Sequence, residues 1–352
     1  MTTNNNAVLA VENLWVGFKT RHKSPLFWAV EGVDLELGPG RTMGLIGESG
    51  SGKSTIANAV LGLVPVQSGN IGLLGEKISG LPASRRKTLG KSLQAVFQDP
   101  NTSLNPFWTI GRSLAEPLAA QGGHSRDQVR RRTAQLLSDV GLDPDAAHRY
   151  PRQFSGGQRQ RISIARALMT SPKVVICDES VSALDLSVQA QILNLLADLQ
   201  DKHGVSYLFI SHDMSVVRHV CHDVTVLYRG QVMESGPTAL VAAEPAHPYT
   251  RALLLAAPVA DPVKQREKRR AAAAETSVPS STEPDGCPFA PRCPFAVDKC
   301  RSERPVLREL DDGRKVACHR YPEWQKETTP PAPAQNKPEQ LSGTIQGVDI
   351  TT

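Results

Sequence analysis

The run Gly47-Glu48-Ser49-Gly50-Ser51-Gly52-Lys53-Ser54 constrains this chain more than any other stretch. It follows the pattern G-x-x-x-x-G-K-S of a phosphate-binding loop. Its flanks are the ones that pattern needs. Met43-Gly44-Leu45-Ile46 reads as a short buried strand, and Thr55 to Leu61 carries apolar residues at helical spacing. Strand, glycine loop and helix in that order build an anion site. Backbone N–H groups turn inward on phosphate oxygens, and the helix N-terminus adds a favourable dipole. Gly47, Glu48, Ser49, Gly50, Ser51 and Gly52 form the expected cradle, with Thr55 behind it. Lys53 is expected to hold the outer phosphates, and the Ser54 hydroxyl to ligate Mg²⁺.

Such a loop needs an acidic partner for Mg²⁺. Lys173-Val174-Val175-Ile176-Cys177-Asp178-Glu179 supplies it, with an apolar strand ending in two carboxylates. Ligands of α/β sheets bind at that strand end. Asp178 is expected to hold Mg²⁺ through its water shell, and Glu179 to polarise an attacking water as general base. His212 ends the next apolar strand, Phe209-Ile210-Ser211, within reach of the γ-phosphate and the water. Gln98 ends another, after Ser92 to Phe97. Its amide can bond the Mg²⁺ shell and the water.

Strands alternate with helices through this region. Helix Gln158–Met169, strand Lys173–Cys177, helix Ser187–Gln200 and strand Ser206–Ile210 argue a mainly parallel α/β sheet. Val8–Trp15 and Ala29–Leu37 read as antiparallel strands around a loop at Lys19–Pro25. Val224–Tyr228 and Gln231–Glu234 read as a hairpin around Arg229-Gly230. Between Ile110 and Val140 the apolar positions Leu114, Leu118, Val129, Leu136, Leu137 and Val140 recur at helical spacing, as a helical insert.

Phe154-Ser155-Gly156-Gly157-Gln158 opens a helix with a serine and two glycines, a second anion-binding surface. One nucleotide loop has no obvious use for it, whereas a dimer does. Each subunit's second surface can close on the nucleotide held by the other. Here the chain resembles the ATP-binding subunits of ABC transporters. Ser155, Gly156, Gly157 and Gln158 are similar to their LSGGQ signature, with Phe154 in the leucine position. Ser182-Ala183-Leu184-Asp185 resembles their D-loop, Gln98 their Q-loop glutamine and His212 their switch histidine. Phe18 falls where the family places an aromatic that stacks on adenine, with Trp15 as a competing neighbour.

The resemblance covers Val8 to Gly236 and implies a P-loop NTPase: an α/β RecA-like core with an antiparallel β subdomain and a helical insert. The expected core spans 7–98 and 156–236, with the helical subdomain at 99–155. Ser54, Gln98 and Asp178 are its expected Mg²⁺ residues. Glu179, His212 and Gln98 are the expected catalytic set, and Ser182 and Asp185 the D-loop residues.

A narrower resemblance lies further on. Glu244-Pro245-Ala246-His247-Pro248-Tyr249-Thr250-Arg251-Ala252-Leu253 is similar to the segment after the ATPase core in dipeptide and oligopeptide importers. So is Asp99 to Pro106 after the Q-loop. Cys287, Cys293, Cys300 and Cys318 resemble the cysteine module of that branch, which in some members is taken to hold a [4Fe–4S] cluster. Four thiolates also match the count for a structural Zn²⁺. Zinc sites usually show two close C-x₂₋₄-C pairs, and this spacing has none, which favours the iron–sulfur reading. Four reduced, unliganded cysteines remain the plain alternative. Cys177 and Cys221 read as packed core thiols. The remaining boundaries are an extension and linker at 237–285, a small C-terminal cysteine module at 286–322 and a disordered tail at 323–352.

Composition bounds the partners. The chain carries 40 basic and 35 acidic residues, a net +5, too mild to argue for nucleic acid. The basic run Lys264 to Arg270 reads as a solvated face or linker. Nothing resembles a signal peptide or a membrane span, so the chain is expected in the cytosol, where disulfides are disfavoured. The resemblance implies an ATPase at the cytoplasmic face of the membrane, energising peptide uptake. It also implies two permease subunits, an extracytoplasmic peptide-binding protein and a second ATPase, a related but different chain. The alternative is a soluble ABC ATPase acting on nucleic acid or ribosomes.

Overall fold

The computed structural model describes residues 7–19, 26–82, 85, 88–98, 103–182, 184–256 and 285–327. Two strands open the chain, β1 (Leu9–Lys19) and β2 (Leu26–Leu37), paired antiparallel from Leu9↔Leu37 to Lys19↔Leu26. The loop expected between them falls mostly outside the described residues. Then come β3 (Thr42–Ile46), helix α1 (Lys53–Leu61), β4 (Ser68–Leu73), β5 (Glu76–Lys77) and β6 (Leu93–Val96). The helical insert follows as α2 (Ile110–Gln121) and α3 (Arg126–Asp139), and next α4 (Gly156–Leu168) and β7 (Val174–Asp178). After α5 (Leu186–His203), β8 (Ser206–Ser211) and α6 (Met214–Val220) comes the hairpin β9 (Asp223–Tyr228) and β10 (Gln231–Pro237).

The strands form two sheets. A four-stranded sheet has the order β2-β1-β4-β5, and all its pairings are antiparallel. The larger sheet holds β9, β3, β8, β7 and β6 side by side in parallel. Its central strands are apolar throughout because both faces are covered. All six residues of β8 are buried. Alternate residues of β7 feed two cores: Val175 and Cys177 pack toward α4 and α5, while Val174 and Ile176 pack with α1 and the antiparallel sheet. Cys177 is fully buried, as expected of a core thiol, and burial pushes its pKa up to about 12.

The insert is two helices because Gly122 and Gly123 both adopt positive φ and end α2. Its apolar stripe is the expected one: Leu114, Leu118, Leu136, Leu137 and Val140 are buried, with Val129 packed at the rim.

The C-terminal region departs from expectation. The extension folds onto the core as α7 (Thr238–Ala243) and α8 (Pro248–Ala256); residues 257–284, most of the expected linker, lie outside the described residues. The cysteine-bearing segment is not a separate unit. After α9 (Asp298–Ser302), its strands β11 (Arg308–Glu309) and β12 (Lys315–Val316) extend the main sheet, with Glu234↔Val316 pairing β10 to β12. The expected disordered tail needs correction at its start. Residues Glu323–Glu327 form helix α10, anchored by Trp324, which is 1% exposed and donates its indole N–H to the Ala246 carbonyl at 3.0 Å. One buried tryptophan outweighs the polar composition that suggested disorder. The tail from 328 onward lies outside the described residues.

Replacing this anchor, Trp324→Ala, should therefore lower global stability by about 3–5 kcal/mol. A urea unfolding curve with an unchanged midpoint would show that the segment adds nothing to the core.

Candidate active site

The phosphate loop spans Gly47 to Gly52 between β3 and α1, and Lys53 is the first residue of the helix. Gly52 has a φ of 103°, and a Cβ there would lie 2.5 Å from the Ala29 carbonyl oxygen, so glycine is required. The loop is also propped from behind. The Gly230 N–H, in the β9–β10 turn, donates to the Ser51 carbonyl at 2.9 Å, and the Gly230 carbonyl accepts from Glu31 N–H at 2.8 Å. Ser51 is buried, while Ser49 and Gly50 are exposed and Thr55 sits in the first turn of α1.

Lys53 is 4% exposed. Its ammonium donates to the Gly47 carbonyl at 2.7 Å, the Glu48 carbonyl at 2.8 Å and the Ser51 hydroxyl at 3.4 Å. The loop thus wraps its own lysine, which satisfies the buried charge. Burial lowers the Lys53 pKa, opposed by the charges of Glu179, Asp178 and Glu48.

The acidic partners stand where the strand order puts them. Asp178 ends β7, and its Oδ1 accepts from the Ser54 hydroxyl at 3.2 Å. Burial raises its pKa, countered by that hydrogen bond. Two adjacent hard oxygen donors suit Mg²⁺, so the Ser54–Asp178 pair fits the expected cation. Glu179 sits at φ 46°, a conformation that costs a non-glycine residue energy. Its N–H donates to the Ile210 carbonyl of β8 at 3.1 Å, which fastens it beside His212. The His212 Nδ1 lies 3.4 Å from Glu179 Oε1. Gln98 donates to the Ser182 hydroxyl at 3.3 Å, and Ser182 donates to the Glu179 carbonyl at 2.9 Å. Gln98, Ser182, Glu179 and His212 therefore form one hydrogen-bonded chain.

The signature residues lie at a different place. Ser155 caps α4: its hydroxyl accepts from Gln158 N–H at 3.3 Å, and the Gln158 side chain accepts from Ser155 N–H at 3.0 Å. Gly156 is the first residue of α4. A Cβ on Gly157 would meet Val188 of α5 at 2.5 Å, so this glycine permits the close packing of the two helices. Asp185 caps α5 by accepting from Val188 N–H at 3.0 Å, and this bond comes first in lowering its pKa. Ala183, inside the D-loop, is outside the described residues. Phe18 remains 38% exposed on β1. Its competitor Trp15 is engaged edge-on by Trp28, with ring centroids 5.3 Å apart.

The cysteines give a mixed outcome. Cys287, Cys293, Cys300 and Cys318 line one cavity of about 20 Å³, together with His247 and Phe289. Burial pushes the Cys287 and Cys318 pKa values up to about 11 and that of Cys293 up to about 12. Among the described residues, no three cysteine, histidine or carboxylate side chains stand close enough to hold a metal ion. A space of this size admits about one water molecule. The donor set suits a metal centre in composition and does not fit one in geometry. The iron–sulfur expectation is not supported by this arrangement.

Three residues that hold the loop were not read from the sequence: Gly230, Tyr249 and Arg292. Glu48 N–H donates to the Tyr249 hydroxyl at 2.9 Å, and Arg292 grips the Glu48 carboxylate with both terminal nitrogens, at 2.8 and 2.9 Å. They lie 201 and 244 residues away from Glu48 in sequence, and no local pattern announces such contacts.

A glycine loop between a parallel strand and a helix, with Asp178 and Glu179 at the end of β7 two strands away in the same sheet, defines a P-loop nucleotide triphosphatase. Comparison with known proteins narrows the class. Residues 30–182 match the ABC transporter family, and residues 233–300 match the C-terminal region of oligopeptide/dipeptide transporters. A peptide import ATP-binding protein of Brucella abortus is 50% identical over 295 residues, covering 83% of this chain and 86% of that protein. The oligopeptide transport ATP-binding protein OppF of Escherichia coli is 44% identical over 316 residues, covering 87% and 94%. Among solved structures, the dimeric ATP-binding cassette MJ0796 with bound ADP and phosphate has a TM-score of 0.59 at 28% identity, covering 65% of this chain and 98% of that one. The chain belongs to the ATP-hydrolysing, ATP-binding subunits of ABC transporters, in the oligopeptide/dipeptide branch.

The site predicts a separable defect. Glu179→Gln keeps the loop and its lysine but removes the carboxylate expected to act as base, so ATP hydrolysis should fall by about 10²–10⁴-fold while nucleotide binding persists. Hydrolysis at the wild-type rate would remove Glu179 from that role.

Proposed function

We propose that this chain energises the uptake of di- and oligopeptides through separate permease subunits, as a peripheral ATPase on the cytoplasmic face of the membrane. The match of residues 233–300 to the oligopeptide/dipeptide transporter C-terminal region carries this reading, because it lies outside the part common to all cassettes. Among the described residues no helix is long and apolar enough to cross a membrane, so two permease chains are part of the proposal. So are an extracytoplasmic peptide-binding protein and a second, related but different ATPase. Nothing in the comparisons favours the alternative of an ATPase acting on nucleic acid or ribosomes.

In the proposed cycle the phosphate loop and Lys53 bind the ATP phosphates, and Phe18 stacks on the adenine. Mg²⁺, held by Ser54, Asp178 and Gln98, would neutralise phosphate charge. Glu179 takes the proton of the attacking water, and His212 orients the water and the γ-phosphate. The α4 N-terminus, with Ser155 and the Gly156–Gly157 backbone, closes on the ATP of the partner subunit. Its place at the start of α4, a different helix from the one that follows the phosphate loop, together with the dimeric cassette among the similar structures, supports this. Gln98, bonded to Ser182 and thence to Glu179, precedes the helical insert in sequence, and the insert is the proposed contact to the permeases.

The four cysteines are a finer part of the proposal. The proposed group is a thiolate-held [4Fe–4S] cluster, with Zn²⁺ as the alternative, on the four cysteines that line one cavity; as placed their side chains do not form a metal set, so either group requires them to move together. No catalytic step passes through it.

Two outcomes test these readings. Ser155→Arg should abolish hydrolysis at the partner's nucleotide site and spare the loop of the mutated chain. A mixed-dimer assay in which the mutated chain's own site fails instead would overturn the shared-site reading. Anaerobically purified protein should carry iron and sulfide, and stoichiometric zinc without iron would replace the cluster.

A further inference from the structure

Glu48 presents a difficulty for the site it sits in. It contributes a carboxylate to the very loop that must receive a polyanion, and its charge is felt at the phosphate-binding Lys53. The structure meets it with a cation from the far end of the chain. Arg292, on the single turn Ala290–Arg292 between Cys287 and Cys293, forms a bidentate pair with the carboxylate at 2.8 and 2.9 Å. Its guanidinium lies 5.6 Å from the centre of the Phe289 ring and 5.8 Å from that of Tyr228, so aromatic faces support it. Tyr228, Tyr249 and Phe289 pack on one another with centroids 4.6 to 5.5 Å apart.

The second grip is on the backbone. Tyr249 is fully buried and accepts the Glu48 N–H. Tyr249 is itself fixed: its N–H donates to His247 Nδ1 at 3.0 Å, and the N–H groups of Ala246 and His247 donate to the buried Glu234 carboxylate at 2.8 and 2.9 Å. Arg314 balances Glu234 at 3.6 Å, and both are buried. A continuous set of contacts therefore runs from Glu234 of β10 through Ala246, His247 and Tyr249 to the second residue of the phosphate loop.

We propose that Arg292 and Tyr249 are positioning residues of the ATP site, Arg292 cancelling the Glu48 charge and Tyr249 holding the loop backbone, so that the C-terminal region sets the cassette's ATP affinity. The inference rests on the reading that Gly47–Ser54 binds ATP. It goes beyond that reading by giving the C-terminal region a task at the nucleotide.

The test uses the full-length chain, with a fluorescent trinitrophenyl-ATP as binding probe and steady-state hydrolysis as a second readout. Arg292→Ala should weaken nucleotide binding about tenfold or more, as expected for losing a charge-assisted bidentate pair and exposing a like charge to the phosphates. KM should rise far more than kcat falls. The Arg292→Ala, Glu48→Gln double variant should recover the affinity, because the repelling charge is gone. A thermal melt of each variant separates loss of folding from loss of affinity: the single variant should unfold near the wild-type temperature while its affinity falls. Tyr249→Phe should raise KM with little change in kcat. Unchanged affinity in Arg292→Ala, or a double variant as weak as the single one, would overturn the proposal. A wild-type chain that binds no nucleotide would instead overturn the reading of the loop itself.

Discussion

The parallel pairing of β3 with β8, and of β8 with β7, is the constraint on which the site depends. The register runs Thr42↔Tyr207 to Ile46↔Ser211 on one side and Val174↔Ser206 to Asp178↔Ile210 on the other. Parallel strands bring like ends together, so the loop after Ile46, the carboxylates of Asp178 and Glu179, and His212 all emerge at one sheet edge. A slip of one residue would send each of these side chains to the opposite face. The two hydrophobic cores, fed by alternate residues of the central strands, hold the register.

Charge is the second theme. Lys53 is a buried cation answered by loop carbonyls and by three nearby carboxylates. Of those carboxylates, Asp178 accepts a hydrogen bond from Ser54, a pair of hard oxygen donors that would suit a divalent cation, and Glu48 is paired with Arg292. The strained backbone of Glu179 persists because its N–H, carbonyl and side chain are each engaged by a different neighbour.

The C-terminal region is part of the cassette's architecture. Its strands extend the main sheet, Trp324 and Tyr249 are buried in it, and Arg304 reaches Glu31 of the antiparallel sheet at 2.7 Å. The small cysteine module therefore joins the main sheet, and the expected tail begins with a helix. Short strands of two residues and a five-residue helix carry almost no periodic signal. The cysteine cavity shows the opposite failure. The count of four thiols and the family resemblance point to ligands, and the fold brings them around one space, but their side chains do not converge as a metal set.

What the sequence alone determined is local and periodic. The glycines, lysine and helix start of the phosphate loop lie within a dozen residues, the apolar runs of β7 and β8 announce buried parallel strands, and the capping box at Ser155 and Gln158 is closed by neighbours three residues apart. Each of these is dictated by short-range sterics and hydrogen bonding. What only the tertiary structure decided is the company that the loop keeps. Gly230, Tyr249 and Arg292 reach it from two turns and a helix far along the chain, and which residue meets which is set by sheet order and core packing. Those are properties of the whole chain, since a contact across 244 residues leaves no pattern in the residues beside it.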